Sequence, residues 1–327
     1  MRHLRSWGSG IQPVLAACLV FLVVGAACSG SSEPPATVEQ PAQDQSELAS
    51  SLLKPGFLSL VAGPTSPDGL QAIFGTPDLA VGDNRVGFVL TTTDDLVKAP
   101  EAAVSSLYLA PAYPEGELKQ TAKAQFRPWP YGTRGFYTTH LTFDMPGRWV
   151  LDISITDRDG IHRQTELFFD VEEVASAVAV GAPAVPSRSK TINDVEELEE
   201  LTTGSLQDPD LYQVSIADAV DSGLPTVIVM ASPAFCTNAV CGPQVEVLQE
   251  LKNKYKGQAN FVHVDIYDNP REIQGDLTVA RVSPTALEWR LPSTEWTFVV
   301  DRQGLVSHRF EAFATLDELE QALLTVI

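Results

Sequence analysis

Basic residues are scarce in this sequence: 22 Lys and Arg stand against 42 Asp and Glu, a formal net charge of −20. Nucleic acid and anionic lipid headgroups are gripped by cationic surfaces, so the balance excludes both as charge-driven partners. Three methionines and five histidines are few, and no Met or Cys joins His140 or His162 to make a metal site. A Gly-x-Ser-x-Gly elbow is missing, which leaves acyl hydrolysis without support. Long apolar runs are missing as well, apart from Ile11 to Ala27, about 17 residues and marginal for a membrane span. Cysteine is the most telling shortage. Of four, Cys18 and Cys28 fall in or just after that apolar run, so Cys236 and Cys241 are alone in the rest of the chain.

What is present at the N-terminus is an export pattern. Arg2, His3 and Arg5 form a basic start, the apolar run follows, and Gly25-Ala-Ala-Cys28 sets small residues before a cysteine. This resembles a bacterial lipoprotein signal, which implies removal of residues 1–27 and lipidation of Cys28. Leu15-Ala-Ala-Cys18 fits the short motif better but would cut the apolar run in half, and an uncleaved anchor is the alternative. Either way the remaining chain lies outside the cytoplasm, where disulfides persist. Residues 28–55, rich in Ser, Pro, Gln, Ala and Glu, read as a flexible tether, with a turn of helix at Ser46–Leu53.

With 327 residues and 44% hydrophobic content the chain can fill about two cores. From residue 56 to 173 short β-rich runs (Val86–Thr92, Ser106–Ala110, Gly135–Phe143, Trp149–Ile155, Glu166–Val171) alternate with turn chemistry such as Pro114-Glu-Gly116 and Met145-Pro-Gly147. This spacing predicts an all-β immunoglobulin-like sandwich. The stretch Gly135 to Trp149 resembles the closing hairpin of YtkA-like extracytoplasmic sandwich domains. Residues 174–190, Ala, Val, Gly and Pro without pattern, read as a linker.

Residues 191–327 change character. An acidic stretch at Asn193–Leu201 reads as helix, and Ser215 to Gly223 reads as a short helix capped and stopped by those residues. Thr226-Val-Ile-Val-Met-Ala231 is continuously apolar, the mark of a strand buried on both faces. Cys236 and Cys241 follow in a loop, and Val245, Leu248, Leu251 and Tyr255 recur at helical spacing behind Pro243. A cysteine beside a helix N-terminus is biased toward thiolate. Five residues apart within one regular helix, the two Cα atoms would be roughly 8.7 Å apart, beyond disulfide reach. The spacing therefore predicts Cys236 in the loop and Cys241 at or just before the helix start. Ala259 to Tyr267, a hairpin around Arg302-Gln-Gly304, and a helix Leu316–Leu324 with a Thr315/Glu318 capping box complete the chain.

On Cys236, Cys241-Gly-Pro243, Phe261-Val-His-Val-Asp-Ile-Tyr and Trp296-Thr-Phe-Val-Val-Asp, the stretch 205–327 resembles the thioredoxin-like superfamily, in its extracytoplasmic branch with four residues between the cysteines. The resemblance implies an α/β thioredoxin-like domain, catalytic Cys236 and Cys241, and no cofactor. It also implies a client protein or small thiol as partner and a membrane redox partner. Phe235, Pro243, Glu295 and Trp296 would lie near the site. Two positions depart from the family. Met230 stands where it has a buried acid, and Glu295 where it has a cis-proline, so a trans bond is expected there. A carboxylate beside the cysteines would raise their pKa. Two other readings stay open: a redox-inert recognition module with a structural disulfide, and a copper-binding chaperone of the Sco type, for which no histidine stands at the expected place before Trp296.

Overall fold

A computed structural model describes residues 45–53, 61–92, 96–130, 134–156, 160–235 and 241–327. The export segment, Cys28, most of the tether and Cys236 lie outside the described residues. Seven strands build the first sheet: β1 (Gln71–Phe74), β2 (Gly82–Thr91), β3 (Glu101–Ala110), β4 (Tyr113–Pro128), β5 (Gly135–Phe143), β6 (Gly147–Thr156) and β7 (His162–Val171). Their order is β1-β2-β5-β4-β3-β6-β7, every neighbour antiparallel. Alternation sends Trp149, Leu151, Ile153 and Ile155 of β6 into one apolar core while Asp152 and Ser154 stay outside it. There the Trp149 ring meets Tyr108 and Phe143 edge-on, at centroid distances of 5.3 and 4.9 Å.

The sheet rolls until its edges nearly meet. Gly63 N–H donates to Ala72 in β1 (2.8 Å), and the next residue's carbonyl accepts from Thr165 Oγ1 in β7 (3.2 Å). A Cβ on Gly63 would lie 2.1 Å from the Glu166 carbonyl oxygen, so only glycine fits this seam. At the other end Glu172 exchanges backbone bonds with Leu79 and Val81, both 3.0 Å.

A second sheet holds β8 (Thr226–Ala231), β9 (Asn260–Val264), β10 (Glu295–Val300) and β11 (Val306–Glu311) in the order β11-β10-β8-β9. Only β8 and β9 run parallel; β10 is antiparallel to both its neighbours. The helices are α1 (Gln45–Leu52), α2 (Ile216–Asp221), α3 (Cys241–Tyr255), α4 (Pro270–Ile273), α5 (Pro284–Glu288) and α6 (Leu316–Leu324). As the unbroken apolar run requires, β8 is buried on both faces. Val227, Val229 and Ala231 join the core under α3 and α6, while Ile228 and Met230 join Trp289, Trp296 and Phe298 on the other side. Ser215 caps α2, and Thr315 and Glu318 form the capping box of α6. The acidic stretch 193–201 yields only a single 3-10 turn, Leu198–Glu200.

The expected fold class, an immunoglobulin-like sandwich followed by an α/β thioredoxin-like domain, is overturned. The first seven strands make one nearly closed, barrel-like antiparallel sheet, not two facing sheets. The cause is β4. Its residues from Tyr113 to Gln125 pair with β3 and those from Gln125 to Pro128 with β5, joining three strands on either side that would otherwise be separate layers. Its sequence, Lys119-Gln-Thr-Ala-Lys-Ala-Gln125, is too polar and small to show as a strand. The second part does not form a clear α/β thioredoxin domain either. It adds a mixed four-stranded sheet to a molecule that is mostly β, with few helices.

Two stretches that read as spacers carry core residues. Leu48 and Leu52 of α1 are buried, and Tyr267 Oη donates to the Leu52 carbonyl at 3.1 Å. Ala177, Val178 and Ala184 of the 174–190 stretch lie in the core beside β10. All the described residues belong to one compact unit. Among them no helix is long and apolar enough to cross a membrane.

Candidate functional site around Cys241 and the buried acids

Cys241 is the first residue of α3 and has no exposed surface. It is disulfide-bonded, its partner lying outside the described residues, as Cys236 does. Ala231 at the end of β8 and Val245 share its core, and Pro243, third in the helix, is buried too. From some fifty residues onward in the chain, the Thr294 carbonyl oxygen comes within 3.9 Å of Cys241 Sγ. Thr294 leads into β10, whose first residue, Glu295, is buried opposite Ala231. The carboxylate position expected beside the cysteines is therefore next in sequence to the carbonyl at the sulfur.

The other two residues expected near the site face elsewhere. Successive strand residues point to opposite faces, so Trp296 turns to the far core. There it stacks on Phe298 (centroids 5.6 Å apart) and donates from Nε1 to Ser293 Oγ (2.9 Å). Phe235 packs edge-on against Tyr267, 5.8 Å between centroids, on that same far side. Met230, at the position considered for a buried acid, is an ordinary member of the far core.

Two buried acids stand nearby that the sequence reading passed over. Asp265 follows β9 and accepts from Thr203 N (2.7 Å), Thr203 Oγ1 (2.8 Å) and Tyr267 N (3.0 Å). Burial pushes its carboxyl up to about 6 against those hydrogen bonds. Thr203 Oγ1 also meets Ser232 Oγ (3.1 Å) and accepts from Ala234 N (3.2 Å), so this acid braces the loop that precedes the cysteines. A cavity of about 140 Å³ opens onto Asp265, Tyr212 and His263. His263 Nε2 is 3.1 Å from the Ala231 carbonyl, which can only accept. The Nε2 position thus carries the hydrogen and Nδ1 accepts from Tyr212 Oη at 2.6 Å. Burial lowers His263 to about 4, so the ring is neutral. An acid closing the apolar run Phe261-Val-His-Val264 was the available signal for Asp265.

Glu311, the last residue of β11, accepts from Asp78 N (2.9 Å) and Ser293 Oγ (2.8 Å). Burial, with the Asp78 carboxylate beside it, pushes Glu311 up to about 8 while Arg309 pulls the other way. Asp78 itself receives Ser176 N (2.8 Å), Ala177 N (3.1 Å) and Arg309 Nη1 (3.0 Å). Arg85 of β2 donates to the Glu311 carbonyl (3.0 Å) and the Phe313 carbonyl (2.7 Å) and pairs with Glu318 (2.9 Å). Burial would raise Glu318, yet Arg85 holds it below the usual carboxylate range. Asp78, Arg85, Arg309 and Glu311 line a cleft of about 640 Å³ between the two sheets, where His140 and His308 also lie. Among the described residues no three His, Cys, Asp or Glu side chains are grouped to hold a metal ion.

Neither a protein-family model nor a curated protein matches the chain. Two solved structures are similar to parts of it. The PmoD soluble domain from Methylocystis sp. shares 13% identity over 36% of this chain and 99% of its own, at a TM-score of 0.20. MtrC from Shewanella baltica shares 11% identity over 72% of this chain and 51% of its own, at a TM-score of 0.25. Both likenesses are too slight to bear on fold or function.

Proposed function

We propose that this chain is a thiol–disulfide exchange protein, lipid-anchored through Cys28 outside the cytoplasm, that works through Cys241 and Cys236. The observation that supports the reading is Cys241 itself, disulfide-bonded at the first residue of a fifteen-residue helix. Because its own sulfur is closed to solvent, attack falls on the partner sulfur, taken to be Cys236. A client thiolate bonds to Cys236 and Cys241 leaves as a thiolate, favoured by the helix N-terminus. A second client thiolate then attacks the mixed disulfide, releasing Cys236 and an oxidised client. Both protein thiolates take up protons. The reverse sequence reduces a client disulfide, with electrons supplied by a membrane partner or a small thiol.

Insulin reduction tests this. Cys236→Ser and Cys241→Ser should each abolish it, and activity retained in both variants would sink the proposal. The full burial of Cys241 favours a second reading, a structural cross-link in a recognition module. A reduction potential below about −300 mV would mark that outcome.

A further inference from the structure

The loop that touches the sulfur is held from its other side by the barrel. Ser293 Oγ is the pivot, donating to Glu311 Oε1 (2.8 Å) and accepting from Trp296 Nε1 (2.9 Å). Its neighbour Thr294 carries the carbonyl 3.9 Å from Cys241 Sγ. Glu311 Oε2 is bound in turn by the backbone of Asp78, in the segment between β1 and β2. A second tie reaches the same helix end: Ala314 N donates to Gln244 Oε1 (2.8 Å), three residues after Cys241. Ala312, between these ties, donates to the Glu295 carbonyl (3.0 Å) and is held at φ 61°, a left-handed conformation that a non-glycine residue adopts only under constraint. The junction is over-determined from the barrel side.

We propose that Glu311, acting through Ser293 and Thr294, is a positioning residue that sets the redox equilibrium of Cys241, so that the barrel and the pH govern the disulfide. The inference rests on exchange at Cys241 as read above. In the oxidised state the sulfur has no hydrogen to give. On reduction, an S–H at Cys241 finds the Thr294 carbonyl already in place, which favours the reduced form. The groups that face Glu311 are Asp78 from the barrel segment, Arg309 from its own strand, Arg85 from β2 through the Glu311 carbonyl, and Ser293; His308, His140, Asp83 and Glu173 line the cleft beyond. While Glu311 is protonated, its carboxyl sits beside the Asp78 carboxylate without repulsion. Once it ionises, two buried carboxylates share one arginine, and the Ser293 hydroxyl donates to a full carboxylate, so the clamp on Ser293 tightens.

The test equilibrates the full chain with dithiothreitol between about pH 6 and about pH 9, where Glu311 ionises. Wild type is compared with Glu311→Gln, which keeps hydrogen-bonding atoms but does not titrate. The ratio of the wild-type equilibrium constant for reduction to that of the variant should rise about fivefold toward the alkaline end, a typical coupling between linked sites. A ratio that stays constant would overturn the proposal. Should the glutamine variant not fold, Ser293→Ala replaces it: there the acid still titrates but is uncoupled, and wild type should rise relative to it in the same way. A merely structural role would lower stability in both variants without moving the pH dependence of the equilibrium. Failure of the exchange reading is separable, because insulin turnover can be lost while the ratio still moves with pH, and the converse.

Discussion

The barrel and the four-stranded sheet bury their interiors in different ways. Inside the barrel the core is aliphatic and aromatic, and the buried Tyr137 hydroxyl in it donates to the Ala99 carbonyl at 2.9 Å. The second sheet encloses His263, Asp265, Glu295 and Glu311 at the ends of its strands or within them. An apolar pleat stabilises by removing area from water and is indifferent to pH. Buried acids cost desolvation and persist where hydrogen bonds and ion pairs offset it. Chemistry that responds to protons or electrons belongs to the second region, and the barrel is what holds it.

That contrast can be broken most forcefully at Arg85. Arg85→Ala removes the counter-ion of nearly buried Glu318 and two carbonyl ties to the second sheet, and should cost about 3–5 kcal/mol in chemical denaturation. A loss no larger than that of an exposed change would mean that the two regions stand independently. In the barrel, Leu151→Ala should cost about 2–5 kcal/mol and, unlike the change at Arg85, do so equally at every pH near neutrality. Tyr212→Phe strips the donor from His263 Nδ1 and should cost about 1–3 kcal/mol, leaving barrel probes unmoved until global unfolding.

A pH series sharpens the comparison further. Glu311 has a carboxyl at about 8 when folded against an ordinary 4.5, so the folded state binds the extra proton between those values. Stability therefore falls as pH rises through that window and levels off above about 8. Asp265 acts in the same sense only up to about 6, while neutral His263 acts oppositely between about 4 and 6.5. Above about 6.5 the decline should belong to Glu311, and thermal melts of Glu311→Gln should lose it. The smallest effect is expected at Ala312: glycine relieves a left-handed backbone but gains unfolded-state freedom, for a net stabilisation of about 0.5 kcal/mol.

Much of the second sheet was legible in the sequence because its signals are local. The unbroken run Thr226–Ala231 became a strand buried on both faces, Thr315 and Glu318 closed their capping box, and the helix carrying Val245, Leu248 and Leu251 begins at Cys241. In the first sheet β2, β3, β5, β6 and β7 were legible, but β1, β4 and the sheet as a whole were not. β4 hides its inward face in Ala122 and Ala124, and pairing across it is a long-range fact. Likewise Leu48, Leu52 and the stretch around Ala177 read as spacer because small or sparse apolar residues carry no period.

Periodicity, capping chemistry and cysteine scarcity, all properties of neighbours along the chain, determined the strands, the helix starts and the choice of Cys241. Tertiary structure alone decided that seven strands share one rolled sheet and that Thr294 meets the sulfur. It also decided that Glu311 is buried beside the Asp78 carboxylate, 233 positions earlier, so that burial first and that charge second help the acid keep its proton. Desolvation and Coulomb terms depend on what is close in space, and only folding brings those groups together.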